Sequence, residues 1–332
     1  MEKNNGARHG QLEAVGISRR KFLGSLFTSV TSIGFLGGRA EGRPLAGVKG
    51  QSKLQPGDIV FVDSGSGIEG GFVIRVNSET GEKGILSSGG LLQNPFGVAF
   101  EASGQVIVSD SSRLIGINPE TGAQSLLADN SRGDLGQPYG LAVERPGLLA
   151  IANLKDVLRL DVSSNRIQTI STGGTLQYPL GVAMGSRNEF FVLNMAFPPE
   201  IIRVSPKGGQ MVISRGGLLK APQAIAVLDP FIYVTDVATP DGNFGIGRII
   251  AISMQSGEQT VVAEGEYLSG PVGIAATERG ELIVGDPYTT TESSQQFQGG
   301  IMRVDPVTSK QTLITQGEGD FVNPRGVAIV PS

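Results

Sequence analysis

The sequence predicts an all-β chain, a six-bladed β-propeller of four-stranded antiparallel blades whose ring is closed by the C-terminal strand. Three observations carry this. A Pro-x-Gly-Val-Ala phrase recurs six times. A short apolar strand ending in Asp or Asn follows at a nearly constant offset. The two ends of the repeat region are each incomplete, and each holds what the other lacks.

The first phrase occupies Pro95–Ala99, Pro138–Ala142, Pro179–Ala183, Pro222–Ala226, Pro271–Ala275 and Pro324–Ala328. Its central residues, Gly97, Gly140, Gly181, Ala224, Gly273 and Gly326, are spaced by 43, 41, 43, 49 and 53 positions. Repeats of about 40–50 residues are propeller-sized. The second phrase is Val106–Asp110, Leu149–Asn153, Phe190–Asn194, Ile232–Asp236 and Leu282–Asp286, its polar end 12 or 13 positions after the central residue. Ile59–Asp63 is the same phrase without a Pro-x-Gly before it.

A third strand alternates apolar residues and ends in a polar turn, as at Val73–Val76 before Asn77–Gly81 and Leu114–Ile117 before Asn118–Gly122. Such turns supply hairpin chemistry. A fourth strand closes each unit, for example Gln124–Ala128 and Gln311–Thr315. The first unit lacks an innermost strand, and the last Pro-x-Gly phrase has no blade after it. Gly326–Val330 therefore completes the first blade, which removes the open edges that invite aggregation.

Composition agrees. Glycine supplies 49 of 332 residues, roughly twice the usual share of about 7%. That favours many turns between short strands. The 39% apolar content is enough for a buried core. Cysteine is absent and the single histidine is His9. Thiol and zinc-thiolate chemistry are excluded, and beyond residue 9 so are imidazole triads and histidine metal clusters. Residues 1–46 hold seven of the 27 basic residues and three of the 31 acidic ones, leaving the remainder at net −8. A nucleic-acid binder is expected to be basic, so none is expected as partner.

Residues 17–24 read Ile-Ser-Arg-Arg-Lys-Phe-Leu-Gly, with Arg19 and Arg20 at the centre. A mildly apolar run, Ser25–Gly38, follows and ends in small residues. About 20 apolar residues are needed to span a bilayer, and this run is shorter. The segment resembles a twin-arginine signal peptide. The expected division is residues 1–46 as signal and cleavage region, 47–54 as linker and 55–332 as propeller. Periplasmic or secreted localisation follows, with membrane contact only through the signal peptide.

The repeat phrases resemble the NHL-repeat and SMP-30/gluconolactonase-like propellers over roughly residues 55–332. That resemblance implies architecture more than activity. Gluconolactonase-like relatives hold a divalent metal with acidic or amide residues at the x of Pro-x-Gly and a glutamate on the first blade. Here the x residues are Phe96, Tyr139, Leu180, Gln223, Val272 and Arg325, none a carboxylate. A hard cation needs several oxygen ligands. Streptogramin-lyase-like propellers rely on histidine, which the mature chain lacks.

Three groups of candidates follow. The x residues ring one mouth of the channel, a ligand-binding surface with Gln223 and Arg325 as its polar groups. Arg325 suits an anionic group, and Phe96 and Tyr139 would stack on a ring. Long loops between second and third strands rise on the same face: Ser64–Gly71, Val237–Gly247 and Pro287–Gly300. They carry Asp241, Asn243, Phe244, Tyr288 and Phe297 as rim residues. Asp241-Gly-Asn243 weakly resembles a calcium loop and lacks its full ligand set. No other cofactor or metal is expected. The Asp/Asn ring (Asp63, Asp110, Asn153, Asn194, Asp236, Asp286) reads as structural, capping backbone N–H groups at the turn into the third strand. The expected function is an exported, monomeric, non-catalytic propeller that binds a small molecule or protein at the channel mouth. A divergent metal-dependent lactonase-like hydrolase and a structural envelope protein are the alternatives.

Overall fold

The computed structural model describes residues 53–65, 70–101, 103–239, 244–289, 299–317, 321 and 323–331. The predicted signal region, Asp241, Asn243 and Phe297 lie outside them. Among the described residues there are 24 strands in six four-stranded antiparallel sheets, and the only helix is a single 3₁₀ turn at Asn130–Arg132. No helix there is long and apolar enough to cross a membrane.

From the innermost strand outward, blade one is Pro324–Ile329, Ile59–Asp63, Phe72–Val76 and Lys83–Ser88. Blade two runs from Pro95–Phe100 through Val106–Asp110 and Arg113–Ile117 to Gln124–Asp129. The innermost strands of blades three to six are Pro138–Arg145, Pro179–Met184, Pro222–Leu228 and Gly273–Ala276. Each second strand ends at, or in blade five runs past, the predicted Asp or Asn.

Closure is as the sequence predicts. The C-terminal strand pairs antiparallel with Ile59–Asp63, in the register Ile59↔Ile329, Val60↔Ala328, Phe61↔Val327 and Asp63↔Pro324. Gly57 N–H donates to Val330 O at 2.9 Å and Val330 N–H to Asp58 O at 2.8 Å. Ile59 and Phe61 pack toward blade six with Ile283, Ile301 and Phe321. Val60 and Val62 pack toward blade two with Val98, Phe100, Val106 and Val108. A strand buried on both faces has no reason to alternate with polar residues, which is why the second strands read as unbroken apolar runs.

The recurring glycine has a packing cause. A Cβ at Gly97 would collide with Tyr139 O of the next blade, one at Gly326 with Phe96 O, and one at Gly273 with Arg325 O. At Gly140 it would come within 2.8 Å of Gly181 Cα. Adjacent innermost strands thus approach backbone to backbone around the channel, and the absence of a side chain permits it.

A second interblade device is built from Gln and Ser. Gln259 Nε2 donates to Ser214 Oγ and Gly216 O of the preceding blade, both at 2.9 Å, and its Oε1 accepts from Leu218 N–H at 2.6 Å. Gln124 treats Ser87, Gly89 and Leu91 in the same way, and Gln210 treats Ser171, Gly173 and Thr175 likewise. The two glycines of each clasped loop, such as Gly216 and Gly217 at φ 58° and 62°, adopt the left-handed conformation that brings its carbonyl and N–H onto one amide.

One predicted loop is shorter than expected. In blade five the second strand continues to Ala238 and the third begins at Phe244, with Ala238 paired to Phe244. What reads as a loop over Val237–Gly247 is mostly an extended hairpin.

Candidate functional site

Each innermost strand enters from a loop whose last N–H groups must be capped, because the following Pro has none to offer. The Asp/Asn ring does this. Asp286 Oδ2 accepts from Ser269 and Gly270 N–H at 2.7 and 2.8 Å. Asp110 accepts from Gln93 and Asn94, Asn194 from Gln177 and Tyr178, and Asp236 from Lys220 and Ala221. Asn153 accepts from Gly136 and Asp63 from Asn323. The turn into the third strand, where sequence places these bonds, is capped by Asp63, Asp236 and Asp286 through the N–H groups of Gly65, Ala238 and Tyr288. The entering loop is the more general partner.

These carboxylates are withdrawn from solvent. Burial pushes the Asp286 carboxyl up to about 6, against the opposing pull of its three N–H donors, and raises that of Asp236 as well. Among the described residues no three acidic, histidine or cysteine side chains are grouped to hold a metal ion.

With the entering loops fixed, the x residues project at the start of each innermost strand. Phe96 and Tyr139 meet edge to face, with ring centroids 5.1 Å apart. The Arg325 guanidinium lies over the Phe96 ring, its carbon 4.4 Å from the centroid. One face of Phe96 is therefore covered by Arg325. Leu180, Gln223 and Val272 are half-buried, and the Gln223 amide donates to Ala221 O at 3.1 Å. Ser109 Oγ accepts from Gly97 N–H at 2.8 Å and donates to Tyr139 O at 2.5 Å, fixing Tyr139 across the blade boundary. Of the rim residues, Tyr288 is half-buried, and its ring covers Gly270, where a Cβ would come within 2.5 Å of it. Phe244 opens the third strand of blade five.

Arg325 is 7% exposed, and its Nε is buried without a hydrogen-bond acceptor among the described residues. Burial lowers its pKa, while Asp63 and the phenols of Tyr288 and Tyr139 oppose that fall. A guanidinium remains charged in any such setting. An unsatisfied buried donor costs about 1–3 kcal/mol, and a desolvated cation–π contact returns about 2 kcal/mol. Burial also raises the pKa of Tyr139 and Tyr288, with Arg325 pulling both the other way. Both phenols stay neutral at neutral pH. Tyr178, just before Pro179, also acts on Tyr139. Sequence reasoning passed over it because it precedes the repeated phrase.

No protein-family model matches this chain, and no curated protein matches its sequence. Solved structures do. A chain from the crystal structure of the nidogen/laminin complex superposes with a TM-score of 0.63 at 14% identity, covering 82% of this chain and 98% of that one. TolB from Acinetobacter baumannii superposes with a TM-score of 0.61 at 11% identity, covering 83% and 67%. At such identities the likeness is one of fold, and the fold shared is the six-bladed β-propeller.

Proposed function

We propose that this chain is an exported, non-catalytic binding propeller that receives a small molecule or a protein side chain at the channel mouth. The observation that carries the reading is Arg325, a buried cation lying over the Phe96 ring with no acceptor for its Nε among the described residues. A buried donor left without an acceptor persists in a fold when something else offsets its cost. The residue types support binding over catalysis. Histidine and cysteine are absent beyond residue 9, and each member of the buried Asp/Asn ring accepts from backbone N–H groups of an entering loop. The NHL/SMP-30-like reading of the repeat phrases fits this architecture, with the metal-ligand positions occupied by other residues. A propeller solved within a nidogen/laminin complex fits a protein-binding role. Export rests on the Arg19-Arg20 signal motif, and the reading places the monomer in the periplasm or outside the cell.

The test is capture from periplasmic extract on immobilised protein, with mass spectrometry. Wild type and Lys207→Ala, changed in a turn on the opposite face, should retain the same ligand, and Arg325→Ala should lose it. Retention by Arg325→Ala with loss by Lys207→Ala would place the site on the other face.

A further inference from the structure

We propose a second binding site, for a neutral carbohydrate, in a cleft at the mouth-face end of blade two. The site lies apart from the x residues. The repeat supplies an internal control, because a function carried by one blade must depart from what the blades share. At the junctions of blades one and two, three and four, and four and five, a Gln opening a fourth strand clasps a Ser and the glycine pair after it. At the junction of blades two and three, the register puts Ile167 in the place of the Gln and Ala128 in the place of the Ser. Both pack on Leu114, Leu135 and Ile151 instead. The loop entering blade three is thus without its amide, and it is longer. Residues 130–137 lie between Asp129 and Pro138, where 89–94 and 216–221 suffice at other junctions. The hairpin beside it is minimal. Asp110 pairs with Arg113, so only Ser111 and Ser112 form the turn, and Ser111 takes a φ of 50°, uncommon for a residue with a side chain. Between them is a cleft of about 440 Å³, lined by Ser111, Ser112 and Arg113 of the hairpin and by Asp129, Asn130 and Ser131 of the longer loop. Gln93, from the loop entering blade two, completes the lining. Small-ligand sites run to about 300–1,000 Å³.

The lining selects the ligand class. It holds no apolar side chain, so the ligand is polar. Its charges are already compensated. Arg113 has the Asp110 carboxylate 3.7 Å away and Asp129 within electrostatic reach. Hydrogen bonds from Ser131 hold the Asp129 carboxyl below its usual range, with Arg132 and Arg113 acting in the same direction. An incoming anion would meet Asp129, and an incoming cation would meet Arg113. A neutral ligand meets neither penalty. The groups that remain have hydrogen bonds to give. Among the described residues, no hydrogen bond engages the side chains of Gln93, Ser111, Ser112 or Asn130. These amides and hydroxyls each both donate and accept. Carbohydrates are dense in neutral hydroxyls of the same dual character, and two adjacent hydroxyls match the paired donor and acceptor of one amide.

The experiment is saturation-transfer NMR on the purified chain. The probes are the neutral trisaccharides cellotriose, maltotriose and chitotriose, with trigalacturonate as the anion, triglucosamine as the cation and acetyl-Ser-Gly-Ser-amide as the neutral peptide. At least one neutral trisaccharide should receive transfer, and more than the charged trimers or the peptide do. For that sugar, Gln93→Ala combined with Asn130→Ala removes both amides, and affinity should fall about tenfold. Lys207→Ala, on the opposite face, should leave it unchanged. No transfer to any of the three neutral trisaccharides overturns the assignment. Stronger transfer to a charged trimer or to the peptide overturns the carbohydrate class. Equal affinity in wild type and the double variant removes the sugar from this cleft. Should the double variant fail to fold, Ser112→Tyr, which fills the cleft from the hairpin, should abolish the transfer, and its persistence would equally overturn the site.

Discussion

Replacing Asp286 by Asn removes a titration and keeps an acceptor for the entering loop, while the Tyr288 N–H loses its partner at any pH. The same position is an amide in blades three and four, where Asn153 and Asn194 accept from the entering loop. In the wild-type fold the Asp286 carboxyl holds its proton up to about pH 6, against 3.8 in the ordinary carboxyl. The unfolded chain releases that proton first as pH rises. The group's contribution to stability is therefore complete below pH 3.8 and is lost as pH climbs through about 6. At 1.36 kcal/mol per pH unit, the loss over this window is about 3 kcal/mol. Asp286→Asn cannot show it. Urea unfolding of both proteins at several pH values between about 4 and 7.5 supplies the test, because other titrating groups cancel in the difference. The variant should be the weaker protein at the acid end and should gain on wild type by about 3 kcal/mol toward neutrality. A wild-type-minus-variant difference that stays constant across the range would refute the reasoning.

Removing residues 324–332 should strip blade one of its inner strand, giving aggregation on size exclusion or a Tm lowered by about 10 °C or more; a monomer with unchanged Tm would contradict the closure. Gln259→Ala leaves the Leu218 N–H and Ser214 hydroxyl without their amide partner and should cost about 1–3 kcal/mol in urea unfolding. Gly97→Ala drives a Cβ into Tyr139 O and should destabilise by about 1–3 kcal/mol in urea unfolding, an unchanged midpoint refuting the close approach. Arg19→Lys with Arg20→Lys should leave full-length precursor in the cytoplasm on fractionation and immunoblotting; normal export would remove the twin-arginine assignment.

The fold was legible because a propeller repeats its constraints. Each blade needs one glycine for the central approach, one Asp or Asn for the entering loop and one doubly buried strand, so each signal is printed five or six times. Ala224 shows the limit of the rule, as a Cβ is present there in the place of the recurring glycine. The Gln–Ser clasp recurs at three blade junctions and is harder to see in the sequence. Ser87, Ser171 and Ser214 each precede a Gly-Gly pair by two residues, and the partner Gln opens the fourth strand of the next blade. The eye fixed on apolar strands passes over a polar phrase split across about 40 residues. The x residues were identifiable from their place in the phrase, but their mutual geometry was not. That Arg325 takes the face of Phe96 depends on two strands brought together only by closure of the ring.

Closure also orders events in time. Asp63 and Asn323, bonded across the seam, stand 260 residues apart in sequence. At about 5–20 residues per second, synthesis of the intervening chain occupies about 10–50 s. Throughout that interval the strand Ile59–Asp63, made first, has an open inner edge and nothing against which to seal it. The first blade begun is the last one finished. A nascent chain in this state is the form most exposed to mispairing, and the vulnerability ends only when Pro324–Ile329 has left the ribosome.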